Sequence, residues 1–100
     1  VRRRAKVDEK HPEIVQALRG SGYKVLSLAR VGGGCPDLLV GKGTRILLME
    51  VKAPPGPRGG ASAKGQKLNA AQEKFREEWA PMVRVVRSAE DALREALFFL

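Results

Sequence analysis

Apolar positions recur along the chain with two periods, and the changes of period mark the elements. Over residues 8–19, Ile14, Val15 and Leu18 fall at helical spacing. Asp8 is the candidate N-cap, and Pro12, tolerated only in a first turn, allows a start as late as His11. Gly20-Ser21-Gly22 ends this helix. Residues 23–31 read as a strand with Val25, Leu26, Leu28 and Val31 as its apolar members, and Gly32-Gly33-Gly34 follows. Three glycines before the next run suit a turn, or a group such as a phosphate approaching the backbone closely. Residues 38–40 and 46–51 are apolar runs of strand length, joined by Gly41-Lys42-Gly43-Thr44, which has the glycines a tight hairpin turn needs. Residues 69–80 form a second helix, with Asn69 as N-cap and Gln72 at the third position of a capping-box-like arrangement. Leu68, Gln72, Phe75 and Trp79 share one face of it. Pro81 stops that helix, residues 82–86 make a short strand, and Ser88-Ala89-Glu90-Asp91 opens a last helix whose core face is Ala92, Leu93, Ala96 and Leu97. A helix between the third and fourth strands permits a parallel crossover. The predicted fold is therefore α/β, a mixed four-stranded sheet flanked by helices in the order α-β-β-β-α-β-α.

The hairpin carries charge where a strand buried on both faces is apolar. Asp37, Glu50 and Lys52 interrupt its runs, and a buried ionised group is tolerated only when paired or bound to a metal. With residues 42 and 43 as the loop, Asp37 lies opposite Leu48 and Glu50 is its diagonal neighbour on the same face, about 7–8 Å away between backbones. Two carboxylates then converge on one cation. Lys52 joins that face by the period of the strand, and a loop with an odd residue count would break the parity. Gln72 is a polar residue in an apolar stripe, and its amide needs partners, either in the local cap or in a site.

Charge narrows the choice of partner. The chain has 100 residues, enough for one domain with one modest core. Lysine and arginine number 19 against 11 acidic residues, a formal charge of +8 that favours a polyanion, either nucleic acid or an anionic membrane. No apolar run approaches the roughly 20 residues of a membrane span and no signal peptide is visible, so the expectation is a cytoplasmic protein without a membrane partner. Cys35 is the sole cysteine, which excludes an intrachain disulfide and a cysteine-based zinc site. It shares the Asp37 face as a small core or rim residue, and the lone His11 is too distant in sequence to activate it as a nucleophile. Residues 1–7, with Arg2, Arg3, Arg4 and Lys6, form a basic arm that either contacts phosphates or is solvated. Residues 53–67 form a long positively charged loop without apolar pattern, either a flap over DNA or a passive linker. Phe98, Phe99 and Leu100 end the chain apolar, tucked into the core or covered by a second subunit.

Pro36-Asp37 followed by Glu50-Val51-Lys52 resembles the PD-(D/E)xK nuclease signature. The run from Gly34 to Val40, then Leu48-Met49-Glu50-Val51-Lys52, then Leu68-Asn69-Ala70-Ala71-Gln72, closely resembles the VRR-NUC (virus-type replication-repair nuclease) branch of that superfamily, over residues 8–100. The resemblance implies a restriction-endonuclease-like core, an endonuclease acting on DNA, and a glutamate from the first helix completing the site. Glu13 matches that glutamate by order and spacing, with Glu9 as the competing residue. Carboxylate oxygens and water suit Mg²⁺ or Mn²⁺. Asp37 and Glu50 are the expected direct ligands, joined through the resemblance by the Val51 carbonyl and by Glu13, the latter through water or at a second metal. Lys52 would orient or deprotonate the attacking water, and Gln72 would position Lys52 or the phosphate. Stand-alone members resemble Holliday-junction resolvases, which implies a homodimer on branched DNA. No helix-turn-helix or zinc-finger pattern points to base readout, so recognition of backbone and shape is expected. The alternative is a nuclease fold turned DNA-binding or assembly module. Loss of a ligand would mark it, and this chain retains Asp37, Glu50, Lys52 and Gln72.

Overall fold

The computed structural model describes residues 11–53 and 67–100. The basic arm, the Asp8 cap, Glu9 and all of the 53–67 loop except its ends lie outside the described residues. Helix α1 (Pro12–Gly20) takes the later of the two expected starts. Pro12 occupies the first turn, where its missing N–H forfeits no bond, and the His11 carbonyl accepts from the Ile14 and Val15 amides. Ile14, Val15 and Leu18 are buried, as their spacing predicts. Ser21 and Gly22 close the helix through amides donated to the Ala17, Leu18 and Arg19 carbonyls, with Gly22 in the left-handed region. Leu18 has no exposed surface. Its replacement by alanine is expected to lower stability by about 3 kcal/mol in urea denaturation, by loss of transfer energy plus the cavity left behind; a change under about 1 kcal/mol would mean that α1 is not anchored to the sheet this way.

Strand β1 (Lys24–Ser27) is shorter than predicted. After Ser27 the Leu28 amide still donates to the Asp37 carbonyl, but Val31 then donates back to Leu28 and the chain turns. Of the apolar members of this run, Leu26 and Val31 are exposed. Strands β2 (Leu38–Lys42) and β3 (Arg45–Val51) form the expected hairpin, and Gly43-Thr44 rather than residues 42 and 43 make its loop. Gly43 adopts a positive φ, while Gly41 pairs with Ile46 in the ladder. Leu38 therefore faces Met49, and extending the register by one residue sets Asp37 opposite Glu50 instead of Leu48. The slip is an even number of residues, so the face of every side chain is kept.

Helix α2 (Ala70–Trp79) crosses over to strand β4 (Val83–Val86), which pairs parallel to β3, and helix α3 (Ala89–Phe99) ends the chain. The sheet is four-stranded and mixed, in the order β1-β2-β3-β4, with three helices among the described residues. On one face Leu38, Val40, Leu47, Met49, Val51 and Val86 pack with α1 and α3 into the core. The buried side of α3 is Ala92 and Ala96, with Ala89, Leu93, Phe99 and Leu100 packed against it. Leu97, predicted inward, is 79 % exposed, because it lies a further 100° round the helix from Ala96. Phe99 and Leu100 are thus tucked in, whereas Phe98 faces outward. The other face carries Leu39, Ile46, Leu48 and Glu50, and Leu26, Leu39, Leu48 and Val83 are successive register partners across it. Helix α2 carries the shared face of Gln72, Phe75 and Trp79. None of its residues is buried, and Trp79 instead stacks on Phe75 with ring centroids 5.4 Å apart.

Candidate metal and phosphodiester site

Glu50 is the one charged residue buried among the described residues, at 3 % exposure near the end of β3. Its position follows from strand alternation: Leu47, Met49 and Val51 fill the core, so Glu50 emerges on the opposite face beside Asp37. Asp37 is held just before β2, where its Oδ2 accepts the Val51 amide at 2.8 Å. Lys52 returns to the Glu50 face, with its Nζ 3.7 Å from Glu50 Oε2. Burial pushes the Glu50 carboxyl up to about 7, Asp37's negative charge and a hydrogen bond with Asp37 push the same way, and Lys52 opposes them. Such a carboxylate is short of positive charge.

Gln72 answers both sequence readings at once. Its Oε1 accepts the Asn69 amide and its own amide donates to Asn69 Oδ1, both at 2.9 Å, which closes the capping box. Its Nε2 donates to Glu50 Oε2 at 3.0 Å. The cap therefore aims the amide, and the first turn of α2 must lie close to the sheet. Gly34 makes room for it: with φ +84°, a Cβ there would stand 2.6 Å from the Ala71 carbonyl carbon. Of the three glycines, then, the one with a close neighbour receives the protein's own helix.

Cys35 is half-buried, and its thiol is pushed up by burial and then by the charges of Glu50 and Asp37. A thiol held in its neutral form is a poor nucleophile, in keeping with a rim residue. Glu13 is exposed in the first turn of α1. It does not join the Asp37–Glu50 pair, since no group of three or more metal-ligating side chains occurs among the described residues. Instead it lines an open cavity of about 420 Å³ with His11, Ile14, Val51, Lys52, Ala53 and Arg87.

Arg87 is the residue that sequence reasoning missed. Val51 pairs with Val86, so Arg87 comes beside Lys52, and its Nη1 donates to the Ala53 carbonyl at 2.9 Å. Only the parallel register of β4 on β3 brings it there, and that register has no local signature. The Asp37–Glu50 pair, Lys52 and Gln72 thus converge at one end of one sheet face, with oxygen donors suited to a hard divalent cation. No family model, curated protein or solved structure matches the chain. No helix among the described residues is long and apolar enough to cross a membrane.

Proposed function

We propose that this chain is a metal-dependent DNA endonuclease on a PD-(D/E)xK core. The observation that carries the reading is Glu50: a buried carboxylate beside Asp37, with one lysine and one amide turned toward it. A structural ion pair needs only one acid per lysine. Two carboxylates sharing one cation instead fit Mg²⁺ or Mn²⁺, which takes one or two carboxylates and keeps several waters.

In this reading Asp37 and Glu50 hold the ion, with the Val51 carbonyl beside them, and Glu13 reaches it through water from the neighbouring cavity. When bound, the metal supplies charge neutralisation at the phosphate and a water acidified toward neutral pH. Lys52 orients or deprotonates that water and offsets charge on the phosphoryl oxygens. Gln72 keeps Glu50 facing the ion. The net charge of +8 draws the protein to DNA independently of sequence. Leu97 and Phe98, exposed side by side at the end of α3, supply an apolar patch for the two-fold partner of a resolvase-like homodimer.

The test is cleavage of labelled four-way junction, flap and linear duplex DNA with Mg²⁺, Mn²⁺ or chelator. Wild type is expected to cut in metal and not in chelator. Lys52→Ala is expected to cut about 100-fold to 10,000-fold more slowly while binding DNA within about threefold of wild type, since one charge is a small part of the polyelectrolyte term. Symmetric nicks confined to the junction would establish the dimeric resolvase. Binding without cutting on every substrate would sink the nuclease reading in favour of a binding module.

A further inference from the structure

A second polar cavity, of about 390 Å³, lies on the α2 side of the site and is lined by Lys67, Leu68, Glu73, Arg76, Val85 and Arg87. Each wall is next to a site residue. Val85 is the register partner of Glu50 on β4, Glu73 follows Gln72 on α2, and Arg87 donates to the Ala53 carbonyl, one residue past Lys52. Arg87 lines both this cavity and the one that holds Glu13 and Lys52, so the two meet at this residue. Lys67 and Arg76, both exposed, outnumber the single carboxylate of Glu73, and guanidinium groups suit phosphate oxygens.

We infer that this cavity is a phosphate subsite. Lys67 and Arg76 hold the DNA phosphate next to the one at Asp37 and Glu50, an inference that rests on the nuclease reading of that pair. The subsite sets which way the strand runs past Lys52, because it lies on the α2 side of the carboxylate pair. The competing cationic surface is a groove of about 270 Å³ on the open sheet face, where Lys24, Lys42 and Arg45 surround Leu26, Leu39 and Ile46. That groove lies at the hairpin end of β3, and Ile46 is two register rows from Glu50 along the same face, too far to share a neighbouring phosphate.

The experiment compares two double variants of equal charge loss, Lys67→Ala with Arg76→Ala and Lys24→Ala with Arg45→Ala, all four side chains being exposed. Affinity for a labelled DNA duplex is read by fluorescence anisotropy in chelator over a salt series, so nothing is cut, with circular dichroism as the check of folding. The first pair is expected to weaken binding about tenfold and to reduce the salt slope by about 0.9, the value for one lost phosphate contact. The second is expected to leave the slope unchanged. Equal slopes for the two pairs, a loss confined to the second pair, or no binding by wild type would overturn the subsite. Cleavage by wild type in Mg²⁺ and Mn²⁺ is scored separately: the predicted slopes without any cleavage would remove the nuclease reading and leave the phosphate subsite standing.

Discussion

Replacing Glu50 with glutamine is expected to abolish DNA cleavage and, in metal-free solution at about pH 8, to make the protein more stable than wild type. The sign follows from where the carboxyl titrates. Its ordinary value is 4.5 and in the folded protein it is pushed to about 7, first by burial and then by Asp37. Between those values the native state holds a proton that the unfolded chain releases. The stabilisation is therefore complete below the unfolded value and is lost as pH rises through the folded one. The difference corresponds to roughly 3 kcal/mol, or upward of about 10 °C in melting temperature for a chain this small. Glutamine keeps the shape and the bond to Gln72 without the charge. Melting curves of the two proteins should nearly coincide at about pH 5 and separate by about pH 8, with the variant higher. Adding Mn²⁺ at the higher pH should raise the wild type and leave the variant where it is. Parallel pH profiles would mean that Glu50 is not held against its charge, and the argument for a cation between it and Asp37 would fall with them.

Gly34→Ala should be the most damaging change made away from the charged residues. The new methyl group would meet the Ala71 carbonyl at the start of α2 while its own backbone sits at φ +84°. A left-handed residue with a side chain costs about 1–2 kcal/mol before any contact. With the displacement of the helix the total is expected to reach about 3 kcal/mol or more in urea denaturation. Gln72 would move off Glu50, and a misplacement of about 1 Å is enough to slow cleavage by about 100-fold. Gly33→Ala is the control, since Gly33 also has a positive φ, +66°, but open space around it; it should lose only about 1 kcal/mol and cleave near the wild-type rate. Equal losses in the two variants would leave backbone strain as the whole effect and remove α2 packing as its cause.

Much of this was legible along the chain because it depends on neighbours in sequence. The α1 stripe, the Asn69–Gln72 cap, the Ser88 start of α3 and the hairpin all rest on local rules, and each is present in the fold. The errors share a cause as well. Leu97 was placed inside because apolar side chains in a periodic run are usually buried, yet burial requires a covering layer, and the apolar Leu26 and Val31 lack one too. No periodicity says that α2 would leave the β1 side of its sheet face open. The hairpin register was displaced by two residues because either of two glycines can serve a turn, and the ladder chose Gly43.

What the sequence determined by itself is the chemistry available: an acid before β2, an acid and a lysine two apart at the end of β3, an amide in a helix cap, and an excess of positive charge. Strand alternation also put the three charged groups on one face, and an even slip of register could not move them off it. Tertiary structure alone decided the distances that give those groups a joint property. Sheet pairing set Asp37 against Glu50, the approach of α2 over Gly34 brought Gln72 to Glu50, and parallel pairing of β4 delivered Arg87 to the Lys52 end. It also separated Glu13 from the pair, into the cavity that it shares with Lys52. Local propensities act over a few residues, whereas a shifted carboxyl depends on burial and on charges drawn from the whole chain, and those exist only once the layers have packed.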